Sequence, residues 1–258
     1  MFDQQIGIDS VHNPLGFHYA EDCFGPQPEI RYLRDVRKSL RDPNCHGPEI
    51  LYAIAMDVGK KKDRELLVKM HLLFGVVTFL AGKLGDEPIR SQGHIHKISP
   101  FSGTSTPELY EIWSGKAIIY MQESAKDQPG RCFAVEAFPG DQVLVPSGWA
   151  HCTISADSEQ PLTFGAWCDR EYGFEYEEVR SHGGLAYFPI LNEKGQVYFE
   201  QNSRYSQAPL IKKTPRAYTE FDLKPGVSIY RQFEENPSLF KFIPVPALSE
   251  NYWNNFIP

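Results

Sequence analysis

Three histidines and one glutamate stand where their types and spacing permit metal chemistry. His94 and His96 lie in Gly93-His94-Ile95-His96, Glu108 in Pro107-Glu108-Leu109-Tyr110-Glu111, and His151 at the end of Val145-Pro146-Ser147-Gly148-Trp149-Ala150-His151. On an extended chain residues i and i+2 face the same side, so the two imidazoles of His-x-His point at one locus. Taken alone, such a pair reads equally well as two solvent-facing side chains beside a loop. Glu108 begins an extended run that ends at Gly115; with a period of two, Glu108, Tyr110 and Ile112 share a face and Glu111 takes the other. In the third segment a Pro-Gly turn closes one apolar run and delivers His151 to the start of the next. Cys152, its neighbour, alternates to the opposite face and is not a nucleophile candidate.

Three imidazoles and a carboxylate suit one divalent transition metal: Fe(II) first, with Mn(II), Ni(II) or Zn(II) as alternatives. With a single carboxylate the site keeps a residual charge of about +1, enough to act as a Lewis acid on a bound oxygen. The remaining histidines (His12, His18, His46, His71, His182) read as surface or hydrogen-bonded side chains, and Trp149 and Trp167 as core aromatics ahead of sugar-stacking platforms.

The elements that must carry these residues are short and extended. Runs at 49–58, 66–81, 109–113, 117–122, 131–138, 142–145, 151–155 and 162–167 are apolar or alternating and are separated by turn residues such as Ser114-Gly115 and Pro139-Gly140-Asp141. Strands at this spacing predict an all-β sandwich or barrel; periodicity does not choose between them. A turn is expected over 82–88. Residues 1–28 read as an irregular arm. Ile30, Leu33, Val36 and Leu40 recur at helical spacing and predict one short helix, ending near Asp42-Pro43 because proline disfavours helix in the residue before it. The predicted organisation is an N-terminal arm and helix over 1–47, a metal-binding barrel over 48–205, and an extension over 206–258. The aromatic content of that extension (Tyr230, Phe233, Phe240, Phe242, Tyr252, Trp253) predicts that it packs on the barrel or on a partner subunit.

Composition excludes several classes. The chain has 258 residues, a formal net charge of −7 and no clustered basic face, which argues against nucleic acid as a partner. The short Lys60-Lys61-Lys62 cluster reads as a solvated turn. No secretory signal is visible at the N-terminus, and the longest apolar stretch, 72–81, is too short for a membrane helix. Five scattered cysteines without a Cys-x-x-Cys pair predict reduced thiols in a cytoplasmic protein.

The ordered series Gly-His-x-His, Glu, Gly, Pro-Gly-Asp and Val-Pro-x-x-x-x-His resembles the two motifs of the cupin superfamily, which implies a double-stranded β-helix (jelly-roll barrel). The gap from His96 to Glu108 is longer than most cupins show, so 97–107 reads as an inserted loop. The flanks narrow the resemblance. Ala81-Gly82-Lys83-Leu84-Gly85-Asp86-Glu87, Ser91-Gln92-Gly93-His94-Ile95-His96, Ile50-Leu51-Tyr52, Glu171-Tyr172-Gly173 and Asn202-Ser203-Arg204-Tyr205 look like the cupin-type phosphoglucose isomerases, over roughly 28–205. That family interconverts glucose 6-phosphate and fructose 6-phosphate. The resemblance implies metal ligands His94, His96, Glu108 and His151, with Glu108 also the candidate base. A metal-assisted hydride shift would instead leave Glu108 purely a ligand. The resemblance implies substrate contacts from Tyr52, Ser91, Gly93, Tyr110 and Tyr172, and a homodimer is expected.

Two positions depart from the family pattern. Val77 stands where a hydroxyl residue near the phosphate is usual, and Gly148 where a tyrosine is frequent. These point to a different sugar, or to a phosphate site moved to Arg90, Lys83 or Lys97. The competing readings are another metal-dependent cupin enzyme, such as an Fe(II) dioxygenase, and a sugar-binding cupin without turnover.

Overall fold

The computed structural model describes residues 6–258. Two sheets, antiparallel but for one pair, form its centre. The larger has six strands in the spatial order Gln142–Val145, Glu108–Ser114, Leu162–Asp169, Leu72–Phe79, Ile50–Met56 and Glu29–Tyr32. The smaller runs Ala150–Ser155, Ala117–Gln122, Cys132–Ala137 and Leu210–Lys213, the last pair parallel. Their inner faces enclose one apolar core, giving the double-stranded β-helix of the cupins with a short helix and a C-terminal extension outside it.

Side-chain parity explains why these strands read as apolar on both faces. Leu73, Phe79, Tyr110, Ile112, Val143, Val145, Phe164 and Ala166 point into the barrel, packed against Ile119, Met121, Phe133 and Val135 of the smaller sheet. The alternate residues Leu72, Phe74, Val76, Leu109, Trp113, Leu144 and Trp167 point outward into a second core. The extension supplies the other half of that core through Tyr218, Phe221, Tyr230, Phe233, Phe240 and Phe242. Trp167 is fully buried there, with ring centroids 4.7 Å from Phe74, 4.8 Å from Phe233 and 5.3 Å from Phe240. Aromatic pairs at such distances contribute roughly 0.5–1.5 kcal/mol each beyond simple burial. The outer face of the smaller sheet is covered in turn by the helix Glu177–Ser181 and the hairpin Tyr187–Leu191 with Val197–Gln201.

Several local expectations change. The helix predicted from Ile30 begins later. Glu29–Tyr32 is an edge strand whose Ile30 pairs with Ala53, and only Leu33–Val36, extended by a 3-10 turn Arg37–Ser39, is helical. Sheet pairing there overrides the helical spacing. The arm is not irregular throughout: Ile8–His12 and Leu15–Tyr19 form a hairpin. The run at 66–81 divides into a helix Arg64–Lys69 and the strand from Leu72, separated by His71 with a left-handed φ of 55°. The turn over 82–88 holds a small hairpin, Lys83–Leu84 with Glu87–Pro88. Among the described residues no helix is long and apolar enough to cross a membrane.

Candidate active site

The His-x-His segment is not part of a long strand. His94 makes an isolated antiparallel bridge to His151, with each amide donating to the other's carbonyl at 3.0 and 2.9 Å, and Ile95–His96 pairs briefly with Phe174–Glu175. The bridge begins at Gly93, whose φ of +89° and close approach to the Leu185 side chain (2.9 Å from a notional Cβ) require glycine. Glu108 projects inward from the first position of its strand. His151 lies opposite Met121 and also faces the interior, while Cys152 faces the outer layer as its parity predicts.

The four side chains converge: one ligand atom from each of His94, His96, Glu108 and His151 falls within 4.8 Å of the others. Glu108 Oε2 is 3.2 Å from Nε2 of His96 and 3.2 Å from Nε2 of His151. The far ring nitrogens are already committed, His96 Nδ1 to the Thr106 carbonyl at 2.8 Å and His151 Nδ1 to the Trp149 carbonyl at 3.0 Å. A carbonyl only accepts, so Nδ1 carries the proton and Nε2 presents its lone pair to the centre. Nε2 of His94 and of His96 are buried without a hydrogen-bond partner. Lone pairs and a carboxylate oxygen this close repel unless a positive charge sits among them, and this donor set fits a divalent transition metal.

The electrostatics show the demand for positive charge at this centre: although burial disfavours it, the Glu108 carboxylate raises the His96 imidazole above its ordinary range. Burial, reinforced by His151 and His96, holds His94 well below the ordinary imidazole range, so it is neutral. Burial alone would raise the Glu108 carboxyl, but hydrogen bonding and positive charge at His151 and His96 would outweigh it and keep the group well below its usual value, a role a bound cation would take over when both Nε2 atoms carry lone pairs. Tyr110 donates to Glu108 Oε2 at 2.7 Å, and the Cys168 thiol to Oε1 at 3.3 Å, so both carboxylate oxygens are positioned from the strand and its neighbour. Burial, then the adjacent Glu108, pushes the Tyr110 hydroxyl well up, which keeps it protonated.

The loop at 97–107 ties the metal-bearing segments together. Its Thr106 carbonyl holds His96, Ser105 Oγ accepts from the Gly148 amide at 3.1 Å, and the Ser105 carbonyl accepts from Ser147. At its tip Phe101 stacks on His71, with centroids 3.6 Å apart.

A cleft opens over the centre. Of the substrate contacts expected from sequence, Tyr52, Ser91 and Tyr110 line it together with His94 and Glu108, whereas Gly93 and Tyr172 do not. Tyr172 is 40% exposed and reaches the site only through ring contact with Phe174 at 5.6 Å. Val77 lines the cleft with an apolar surface, and the neighbouring Thr78 hydroxyl is turned away to Thr163 at 2.9 Å. None of the three basic residues considered for a moved phosphate site lines it. Arg90 is buried in a pair with Glu87 at 2.7 Å, Lys97 is exposed and pairs with Glu175, and Lys83 is exposed on its hairpin. Arg31, Gln92, Phe174 and Tyr176 line it and were missed by sequence reasoning. For Arg31 the signal was its register with Tyr52, visible only if 29–32 is read as a strand. His182 bonds Asp127 at 3.0 Å, away from the cleft.

Comparison with known proteins gives the family. Glucose-6-phosphate isomerase of Thermococcus litoralis is 28% identical over 182 residues, covering 68% of this chain and 86% of that protein. The Pyrococcus furiosus enzyme of the same name is 27% identical over 190 residues, covering 71% and 90%. Among solved structures, oxalate decarboxylase of Bacillus subtilis overlaps 49% of this chain and 27% of its own, at 20% identity and a TM-score of 0.34. The model of the glucose-6-phosphate isomerase family matches residues 35–207, and this chain belongs to that family.

Proposed function

We propose that this chain interconverts glucose 6-phosphate and fructose 6-phosphate with one divalent transition metal, Fe(II) first, held by His94, His96, Glu108 and His151. The observation that carries the reading is the convergence of three imidazole nitrogens and a carboxylate oxygen, within 4.8 Å of one another, in a cleft lined by Tyr52, Ser91 and Tyr110. Membership of the isomerase family supports the substrate pair.

Aldose–ketose exchange moves a hydrogen between C2 and C1, as a proton or as a hydride, while the oxygens on those carbons are polarised. A divalent metal held by His94, His96, Glu108 and His151 would supply the Lewis acidity for that polarisation. In the proton-transfer route Glu108 takes the proton from C2 and returns it to C1 while the hydroxyl proton passes from O2 to O1, with Tyr110 and Cys168 fixing the orientation of the carboxylate. The Tyr110 hydroxyl, kept protonated by burial, also restrains the basicity of Glu108 by donating to Oε2. Phe164, Phe174 and Ile54 give the cleft an apolar wall that limits water around the transferred proton. The free, buried cysteines support a reducing, cytoplasmic setting. A homodimer belongs to the same proposal, since Glu29–Tyr32 and Leu210–Lys213 are outer strands of their sheets and such edges are commonly covered.

The test is turnover of the metal-loaded protein in deuterated water, without oxygen, on a panel of aldose and ketose phosphates and free sugars. Isomerisation of glucose 6-phosphate with deuterium entering the product supports proton transfer by Glu108. Isomerisation without deuterium would reassign Glu108 to ligand alone, and a fully loaded protein that converts no panel member would refute the isomerase reading. A requirement for oxygen would favour a dioxygenase.

A further inference from the structure

Arg31 places a fixed positive charge on the wall of the cleft. Its strand pairs with Ile50–Met56 so that Arg31 lies directly opposite Tyr52, and residues opposite one another in an antiparallel pair present their side chains on the same face. Both line the cleft, and Arg31 is the sole lysine or arginine among its lining residues. The only ion pair the described residues give it is with Glu29, which is 61% exposed against 21% for Arg31 itself. Arg31 donates to Glu29 there, but a solvent-screened pair of that kind contributes little, so an incoming dianion can compete with Glu29 for the guanidinium. The Tyr52 hydroxyl sits beside it, kept protonated by burial, which outweighs the pull of Arg31.

The other candidates for an anion contact are committed elsewhere. The Arg90 guanidinium is enclosed by Glu87 and by the carbonyls of Ser39 and Ser91. Val77 offers no donor, and Thr78 spends its hydroxyl on Thr163. The cleft therefore has an oxygen-binding centre of imidazoles and carboxylate, and on its wall one forked cation.

We propose that Arg31 is the specificity-determining contact for the dianionic phosphate of the substrate, assisted by Tyr52, and that it makes this chain select phosphorylated over free sugars. The inference rests on the isomerase reading above. The planar fork of arginine matches two phosphate oxygens at once, a geometry that lysine lacks.

The experiment compares metal-loaded wild type with Arg31→Gln, Arg31→Lys and Glu29→Gln, by steady-state kinetics on glucose 6-phosphate and by calorimetric titration with inorganic phosphate. In Arg31→Gln the KM should rise roughly 10- to 100-fold, the loss expected for a charge-assisted hydrogen-bonded contact, far more than kcat falls. Arg31→Lys should be intermediate. Glu29→Gln, which removes a competing carboxylate from an exposed position, should lower KM by about two- to threefold; it keeps the inference testable should Arg31→Gln misfold. Phosphate should bind wild type and not Arg31→Gln. An Arg31→Gln protein with unchanged KM, or with undiminished phosphate binding, overturns the inference while leaving the isomerase reading standing. A wild type that binds phosphate through Arg31 yet isomerises no sugar phosphate supports the anion site and overturns the isomerase reading.

Discussion

Glu111 should make the stability of this protein fall as pH rises, by an amount that one substitution isolates. Its side chain is fully buried between the outer face of the larger sheet and the extension, accepting from the Ile229 amide at 2.7 Å and from Trp113 Nε1 at 2.9 Å. Burial raises its carboxyl from the ordinary 4.5 to about 7, and the two N–H donors recover only part of that. The folded state thus binds the proton more tightly than the unfolded chain. Stability is greatest below the unfolded value and is lost as pH climbs through the folded one. A shift of this size corresponds to roughly 3 kcal/mol in total, about 2.5 of it between pH 5 and pH 8. Glu111→Gln is neutral throughout. It cannot accept from both N–H groups, which adds a constant offset, so the informative quantity is the pH slope of the difference between the two proteins. Urea unfolding of metal-free wild type and Glu111→Gln at steps from about pH 5 to pH 8 measures it. The variant should gain about 2.5 kcal/mol on wild type across that range. Parallel stability curves would refute the reasoning, because Glu111 would then be no more reluctant to ionise than an exposed carboxyl.

Two further outcomes follow from the same contacts. Ser105→Ala removes the acceptor for the Gly148 amide and loosens the loop that holds His96, so metal affinity measured by chelator competition should fall by up to about tenfold with little change in melting temperature. Trp167→Ala empties the centre of the outer core and should cost about 3–5 kcal/mol; limited proteolysis should then cut within 206–258, where wild type resists.

How much of this was legible in the sequence depended on whether local pattern and tertiary context agreed. The centre was legible because His94 follows Gly93, Glu108 follows Pro107 and opens an apolar strand, and His151 follows the Pro146–Gly148 turn that closes the run 142–145. Glu108 and Glu111 separated correctly by parity. Their opposite fates, one lining the cleft and one under the extension, follow from which face each shares. At 29–32 the pattern misled: Ile30 has helical spacing to Leu33, yet its pairing with Ala53 is a long-range contact that no local window contains. That one misreading also hid Arg31 from the cleft. In the run at 66–81 three successive apolar residues, Leu66, Leu67 and Val68, joined a strand in the sequence but form a helix, of which only Leu67 is buried. The extension has short turns without a period, so its path was illegible; in the structure its aromatic side chains cluster with the outward residues of the larger sheet.

The central claim is that isomerisation depends on a metal held by the three histidines and Glu108. Its most direct measurement is an anaerobic titration of metal-free protein with Fe(II), or Mn(II) in parallel, following conversion of glucose 6-phosphate to fructose 6-phosphate. Activity should rise from zero and level off at one metal per chain, and His151→Ala should neither retain metal nor turn over substrate. Full turnover by metal-free protein, or by His151→Ala, would contradict the account.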